Sequence, residues 1–316
     1  MLTIPSKRLG GKMDKIDFIP EYWTRWGLDH TSPTQSNKSN GIWAAQYLIC
    51  TNEERRKFTT KPVMTAGNAS QRGIDTCIVD RLDPKTAADE AVYQYTETAK
   101  ATWELDDEYK IQYNAIKDGM PQMVANGIAA LKEIFPKYDK IKIKSERPTS
   151  CEVPGLEIPM VGYIDYESKD VVVELKTKQR KKPKYNKDGT AVCYSGTLPT
   201  KPEIAHVKQV GFYKQATDKQ VFLVYVNDKE PGYNKRTKKD EPGYVIFDQT
   251  HDLLSDEHFD FCWENYRVTN IVRQNILKNN SELKDILSNI DPEFHSGFWD
   301  YGDEYVARAK KLWGEV

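Results

Sequence analysis

The sequence has few cysteines and almost no excess charge, and both shortages narrow the possible functions. The five cysteines among 316 residues are scattered without a C-x-x-C pair, so neither a structural zinc site nor a disulfide framework is expected. Lys and Arg number 46 against 47 Asp and Glu, and this balance excludes a uniformly basic, histone-like protein. The five histidines show no metal-ligand spacing, and the sequence contains no G-x-S-x-G motif and no glycine-rich phosphate loop.

Long hydrophobic runs are also missing. The longest, at 171–173 and 221–226, are far shorter than the roughly 20 residues that cross a bilayer, so no membrane span is expected. The segment 1–12 has no apolar stretch of the kind found in secretory signals, and we therefore expect a cytoplasmic protein. The 7 Trp, 18 Tyr and 10 Phe provide large side chains for a core, which indicates a folded chain.

The hydrophobic pattern divides the chain into regions. Residues 1–20 mix Gly, Lys and Pro with little periodicity and predict an irregular N-terminal arm, whereas residues 21–316 predict a single domain of α/β (α+β) class. Within the domain we expect a helical part over about 21–135, a sheet core over about 139–250 and C-terminal helices over about 255–316.

Individual elements follow from the local period. The sequence T-S-P-T at 31–34 predicts a helix start with hydroxyl caps. Apolar residues recurring every three or four positions predict longer helices over 66–82, 86–116, 119–135 and 203–217. Alternating or continuous apolar residues predict strands over 140–144, 156–165, 170–176, 221–226 and 244–247, the second and third being antiparallel and joined by a polar hairpin at 166–169.

Two acidic residues and a lysine stand at the ends of neighbouring predicted strands. A twisted or bulged pair can bring Asp165 and Glu174 to one edge of the sheet, and strand periodicity places Glu174 and Lys176 on one face. With the backbone carbonyl of Leu175, the carboxylates make an all-oxygen site suited to Mg²⁺ or Mn²⁺. Such a site suits phosphodiester hydrolysis assisted by Lys176. The alternative is that the carboxylates are exposed strand-end charges and Lys176 pairs with one of them.

The same residues resemble a known family. The run V-G-Y-I-D at 161–165, followed by V-V-V-E-L-K-T at 171–177, resembles the core of the PD-(D/E)xK nuclease superfamily, in particular its RecB-like exonuclease branch. Gln209 and Tyr213 form a Q-x-x-x-Y pattern on a predicted helix, where this branch carries a further motif. Four residues apart, the two side chains share one helix face. The resemblance implies that they orient the scissile strand or Lys176.

Two looser fragments extend the resemblance to about residues 30–250. The run at 31–35 is similar to the S-P-S/T opening of many members, and Q-R-G-I-D-T-C at 71–77 is similar to the R-G-x-x-x-H/E helix that precedes the core. Cys77 stands where the family has His or Glu and is expected to face the site, with simple burial as the alternative. The identity of the first-motif metal contact is therefore left open between Cys77, Asp75 and Asp80.

The resemblance implies a central mixed sheet flanked by helices, and Mg²⁺- or Mn²⁺-dependent cleavage of DNA as single strands or duplex ends. The implied setting is replication, recombination or repair, with a single-strand-binding or recombination protein as a possible partner. Members of this length are often phage-encoded, which would place the protein in the host cytoplasm, or resemble the mitochondrial genome maintenance exonuclease. Some relatives hold a four-cysteine iron–sulfur cluster, and the cysteine spacing here predicts none. The alternatives are an endonuclease of the same fold and a non-catalytic nucleic-acid-binding module.

Basic residues follow the E-x-K motif directly. This basic strip predicts a path for a phosphate backbone beside the acidic site and consists of Lys176, Lys178, Arg180, Lys181, Lys182 and Lys184. A second cluster lies at 235–239, where a solvated basic loop is an equally good interpretation. Expected base-stacking residues next to the clusters are Tyr185, Tyr194 and Tyr233. Arg72 and His206 are further expected DNA contacts.

Overall fold

The computed structural model of the chain describes residues 19–51, 53–54, 62–102, 107–234, 238–292 and 303–314. Its centre is a five-stranded sheet with the order β1-β2-β3-β6-β9. The predicted α/β class, with a central mixed sheet flanked by helices, is confirmed. The predicted N-terminal arm lies almost entirely outside the described residues.

The strands of the chain are β1 (Lys144–Cys151), β2 (Met160–Glu167), β3 (Val171–Thr177), β4 (Lys184–Tyr185), β5 (Ala191–Val192), β6 (Gln220–Val226), β7 (Gly232–Asn234), β8 (Lys239–Glu241) and β9 (Tyr244–Phe247). Strands β1, β2 and β3 pair antiparallel, β3 and β6 pair parallel, and β6 and β9 pair antiparallel. Two small hairpins, β4–β5 and β7–β8, stand apart from the central sheet.

The described helices are α1 (Glu21–Thr24), α2 (Pro33–Ser36), α3 (Asn40–Ala44), α4 (Pro62–Ile78), α5 (Pro84–Thr102), α6 (Asp107–Ile134), α7 (Ile204–Thr217), α8 (Asp256–Asn279), α9 (Leu283–Ser288) and α10 (Asp303–Gly314). A π-helical turn, Ala45–Ile49, continues α3, and a short 3₁₀ turn, Asp252–Leu254, precedes α8. No helix in the described part of the chain has the length and apolar character needed to cross a bilayer.

Helices cover both faces of the sheet because each face presents apolar side chains. Val173 and Leu175 of β3 pack with residues of α4, α5 and α6 in one core. Val172, one position before Val173, packs with Val207 and Phe212 of α7 in a second core on the opposite face. This alternation is that of a strand buried on both sides. Helix α7 is thus the connection that makes β3 and β6 parallel.

The first helices dock onto the sheet through a polar segment. Ser32 caps α2 as predicted, since its hydroxyl accepts a hydrogen bond from the Gln35 amide at 3.2 Å. The backbone of Thr31 bonds to both sides of the start of β2, because its N–H donates to Pro159 O and its carbonyl accepts from Val161 N. The T-S-P-T segment therefore fixes the strand that carries Asp165.

Three predicted boundaries are wrong. The strand expected over 140–144 is irregular up to Ile143, and β1 begins only at Lys144. The hairpin expected at 166–169 is shorter, since β2 continues through Glu167. The predicted helix break between 116 and 119 does not occur, because α6 runs unbroken through Gly119 and Pro121.

Candidate active site

The pairing of β2 with β3 stops at Asp165. Tyr166 and Glu167 pair with Val173 and Val172. Beyond them the backbone of β3 bonds to a side chain of β2 and not to its backbone, because Leu175 N donates to Asp165 Oδ2 at 2.7 Å. Ile164 packs in the core under α7, whereas Tyr166 packs in the core on the opposite face. The strand therefore changes face at Asp165, as strands do at a bulge.

The neighbouring strand β1 is distorted at the same level. Its register with β2 places Glu146 opposite Asp165, and Glu146 has a φ of 45°. A residue other than glycine with positive φ is a local departure from regular strand geometry. Asp165 thus lies where β2 loses regular pairing with both β1 and β3. Its carboxylate is therefore free to accept a hydrogen bond from the backbone of β3.

Glu174 and Lys176 share one face of β3, as the strand period predicts. Lys176 Nζ forms a close ion pair with Glu174 Oε1. The Glu174 side chain is 1% exposed, and its second oxygen, Oε2, is buried with no hydrogen-bond partner among the described residues. A buried carboxylate oxygen without a donor is costly, so this oxygen is available for a ligand that the protein chain does not itself provide.

The charges of this cluster act on one another. Burial raises the pKa of Asp165 well above its ordinary value, and the neighbouring Glu174 carboxylate raises it further, against the opposing effects of Lys176 and the Leu175 N–H. Burial by itself would lower the pKa of Lys176, but the attraction of Glu174 and Asp165 outweighs it and the pKa is raised. Lys176 is therefore a cation at neutral pH.

Gln209 and Tyr213 of α7 reach this region from the face of β3 that carries Val172, Glu174 and Lys176. Gln209 Nε2 donates to Tyr213 Oη at 2.8 Å, and Tyr213 Oη donates to the carbonyl of Tyr163 at 2.5 Å. Burial raises the pKa of Tyr213 well above its ordinary value, and Glu174 and Asp165 raise it further. Tyr213 therefore remains a neutral donor that holds β2 two residues before Asp165.

The three candidates for the first-motif contact lie in different surroundings. Cys77 is buried in the core formed by α4, α5 and α6, so the expectation that it faces the site is wrong. Asp80 is exposed and pairs with Arg72 at 3.3 Å. Asp75 is 6% exposed, and its charge is among those that raise the pKa of Asp165. Of the three, Asp75 is therefore the residue that acts on the candidate site.

Burial raises the pKa of Asp75 to about 6, although Tyr166 and Ser145 lower it in part. We expect Asp75→Asn to raise the free energy of unfolding at neutral pH by on the order of 2 kcal/mol, because the wild-type carboxylate is ionised there at a cost. The folded state keeps this proton to higher pH than the unfolded state, so the cost is absent below the ordinary pKa of 3.8, grows between pH 3.8 and about 6, and is constant above that.

Urea denaturation in chelator, at several pH values, measures the effect of Asp75→Asn. Asp89→Asn on α5 is the control, since Asp89 is exposed. A stabilisation that did not change with pH would contradict the assignment of this cost to the Asp75 carboxylate.

The residues of the basic strip divide into two groups. Lys178 pairs closely with Glu203, and Arg180 pairs closely with the buried Asp228. The other members are exposed and lie on the segment that leads into the β4–β5 hairpin; they are Lys181, Lys182 and Lys184. Of these, Lys182 lies 4.9 Å from the centre of the Tyr109 ring. Sequence proximity could not separate the two groups, because the carboxylate that engages Arg180 is 48 residues away.

Three further predicted contacts are placed by the structure. Burial and the nearby Lys176 lower the pKa of His206 to about 4, and its Nδ1 lies 2.9 Å from Tyr225 Oη, so the ring is neutral at neutral pH. Arg72 is half exposed and engaged by Asp80 and Glu90. In the second basic cluster, residues 235–237 lie outside the described part of the chain, and Tyr233 is exposed on β7.

The donor set at the interrupted strand pair fits a hard divalent cation. Besides Glu174 Oε2, the Leu175 carbonyl lies on the Asp165 side of β3, since the N–H and C=O of one strand residue point to the same neighbour and Leu175 N–H bonds to Asp165. Carboxylate and carbonyl oxygens are the ligands that Mg²⁺ and Mn²⁺ prefer. Within the described ranges no three His, Cys, Asp or Glu side chains form a metal-binding group, so the set consists of two carboxylates and one backbone oxygen.

No protein-family model and no curated protein matches this sequence. Among solved structures, that of a "Putative exonuclease" from Eubacterium rectale matches 85% of this chain and 88% of its own, with 13% identity and a TM-score of 0.41. The structure of SSO0001 matches 58% of this chain and 78% of its own, with 17% identity and a TM-score of 0.24. Likenesses at this level identify neither a family nor an activity.

Proposed function

We propose that the protein is a metal-dependent DNA exonuclease of the RecB-like branch of the PD-(D/E)xK superfamily. The observation that carries the proposal is the buried, unpartnered oxygen of Glu174 beside Asp165 and Lys176, at the point where β2 and β3 separate. A purely structural ion pair would not require a second carboxylate of raised pKa next to it, because like charges held together without a counter-ion are costly.

Asp165, Glu174 and the Leu175 carbonyl would hold Mg²⁺ or Mn²⁺. The ion supplies a Lewis acid that withdraws charge from a phosphoryl oxygen when it is bound. The chain itself already holds both carboxylates in place. The Leu175 N–H fixes one oxygen of Asp165, and Lys176 fixes one oxygen of Glu174, so one oxygen of each carboxylate remains for the ion.

Lys176 stabilises negative charge in this proposal and does not act as a base. Its pKa is raised, so it keeps its proton at neutral pH and can donate hydrogen bonds to the anionic oxygens of the phosphate under attack. Tyr213 and Gln209 are positioning residues, because their hydrogen bonds end on the backbone of β2 and hold the strand that carries Asp165.

The DNA would approach along the exposed part of the basic strip. Lys181, Lys182 and Lys184 are free to contact phosphates, and Tyr185 and Tyr194 on and beside the β4–β5 hairpin are 57% and 53% exposed. Arg180 and Lys178 have a different role, since their partners Asp228 and Glu203 attach the start of this segment to the body of the protein.

Digestion of labelled oligonucleotides tests the function. We expect the purified protein to release nucleotides from linear DNA when Mg²⁺ or Mn²⁺ is added and to leave circular single-stranded DNA intact, because an exonuclease requires an end. Labels at the 5′ or 3′ terminus of single- and double-stranded substrates give the polarity and strand preference. Cleavage of the circle would establish an endonuclease instead. Binding of DNA in chelator without cleavage after metal addition would establish a non-catalytic binding module.

A further inference from the structure

A second candidate site lies at the other end of β3. A cavity of about 510 Å³ opens where β2 turns into β3, and it is bounded by this turn, the C-terminal end of α6 and the segment that leads into β1. Its wall includes Val171, which is three residues, or about 10 Å along the strand, before Glu174. Glu167, two residues after Asp165, also lines it, but Asp165, Glu174 and Lys176 do not, so the cavity is distinct from the candidate active site.

Positive charge dominates this cavity. Its lining contains two acidic side chains, Glu167 and Asp170, and six cationic ones, which are Lys137, Lys142, Lys144, Arg147, Lys169 and Lys219. The six cationic side chains repel one another, because only two carboxylates lie among them. The excess is costly without a ligand and is therefore an indication of an anion site.

The one buried carboxylate of the cavity is already neutralised. Glu167, 5% exposed, accepts from Lys219 at 2.7 Å and forms a close pair with Arg147. Lys219 also donates to Ser168 O at 2.6 Å, which fixes its ammonium group at the floor. The floor is thus an ordered network with no spare negative charge.

The remaining lysines are available to a ligand. They lie at the rim, are exposed, and have no acidic partner among the described residues; they are Lys137, Lys142, Lys144 and Lys169. Ammonium groups on flexible stems at the mouth of a pocket are suited to phosphate oxygens. The cavity thus combines a fixed floor with a mobile rim of cations.

The walls between floor and rim are apolar. They are formed by Ile134, Phe135, Pro136, Ile141 and Val171. A ligand of phosphate alone would gain nothing from such walls, whereas a planar organic group attached to the phosphate would bury its faces against them. The volume also falls within the range of pockets that hold small organic ligands.

We propose that this cavity binds a nucleoside phosphate, with the phosphates at the lysine rim and the base against the apolar wall. The alternative for a basic surface is the backbone of DNA. The apolar wall favours a small molecule with a planar group, and the cavity opens at the end of β3 opposite to the basic strip. The proposal does not depend on nuclease activity.

Calorimetric titration of the full chain with ATP in chelator tests this site. We expect one ATP per chain and an affinity about tenfold lower in the double variant Lys142→Ala/Lys144→Ala, because two rim cations are lost. Lys201→Ala/Lys284→Ala removes the same charge from exposed positions elsewhere and should bind ATP as the wild type does. Asp165→Asn should also retain binding, since its carboxylate belongs to the other site.

Several outcomes would overturn the proposal. The first is no ATP binding by the wild type at millimolar concentration. The second is an equal loss of affinity in both double variants, which would indicate non-specific attraction. The third is tripolyphosphate binding as tightly as ATP, since the apolar wall would then contribute nothing. The fourth is a Lys142→Ala/Lys144→Ala variant that loses affinity for a single-stranded oligonucleotide but not for ATP, which would make this surface a DNA contact.

Discussion

Asp165→Asn should abolish metal-dependent DNA hydrolysis while leaving the fold at least as stable as in the wild type. The amide keeps the shape of the side chain and can still accept the hydrogen bond from Leu175 N. It cannot supply the negative charge that a divalent cation needs, and loss of one carboxylate ligand should reduce the rate by at least about a thousandfold, or roughly 4 kcal/mol of transition-state stabilisation.

The expected stability of Asp165→Asn follows from the pKa of Asp165. Burial and the Glu174 carboxylate make its ionised form unfavourable in the folded protein, so removing the charge removes that cost when no metal is present. A residue that served only the fold would behave in the opposite way. Loss of activity together with equal or higher stability in chelator is thus the signature of a binding carboxylate.

The measurements for Asp165→Asn are nucleotide release from labelled linear DNA with Mg²⁺, and urea denaturation in chelator. Glu174→Gln should lose activity to a similar extent, and Asp89→Asn, on the exposed face of α5, should change neither quantity. Full activity in Asp165→Asn or in Lys176→Ala would rule out the proposed chemistry. Lost activity accompanied by a large loss of stability would assign Asp165 a structural role.

Local periodicity predicted the elements that carry these residues. Strands β3, β6 and β9 are short apolar runs bounded by polar turns, and α7 has its apolar residues at helical spacing, so their positions were predicted to within a residue or two. The strand period also placed Glu174 and Lys176 on one face. The interruption at Asp165 could only be named as one possibility, because a bulge depends on contacts with both neighbouring strands.

The wrong predictions arise from contacts between distant parts of the chain. The helix break expected between 116 and 119 is absent, and Gly119 lies inside α6 at a position where a β-carbon would come within 2.1 Å of Asp228 Oδ2. The same Asp228 engages Arg180, and this ion pair could not be predicted from the position of Arg180 beside the E-x-K motif. Local patterns contain no information about a partner 48 residues away.

Arg273→Ala should destabilise the protein more than any surface change on the same helix, by about 4 kcal/mol. The side chain is fully buried, and its guanidinium donates to Asn40 Oδ1 at 2.9 Å, Gln35 O at 3.0 Å and Lys38 O at 2.6 Å. It also lies 4.9 Å from the centre of the Trp43 ring. Truncation would leave a cavity and remove three donors from their acceptors, of which Gln35 O is fully buried and the other two are partly buried.

Arg273→Met separates the two causes, because it fills most of the volume but donates no hydrogen bonds. We expect it to lie between Arg273→Ala and the wild type in free energy of unfolding. Arg267→Ala, on the same helix, is the matched control, since its ion pair with Glu264 is exposed and should contribute no more than about 0.5 kcal/mol. Urea denaturation measures all three.

The reason for so large an effect is the position of Arg273 between two parts of the fold. Burial lowers its pKa to about 9, so the charge is maintained at a cost that its three acceptors, the Trp43 ring and the nearby Tyr47 offset. Those acceptors lie on the segment that begins at Thr31, whose backbone holds the start of β2. An Arg273→Ala variant as stable as Arg267→Ala would show that α2 and α3 are held to α8 without Arg273, by apolar packing and by the hydrogen bonds of Asn270 to Thr31 and Ser36.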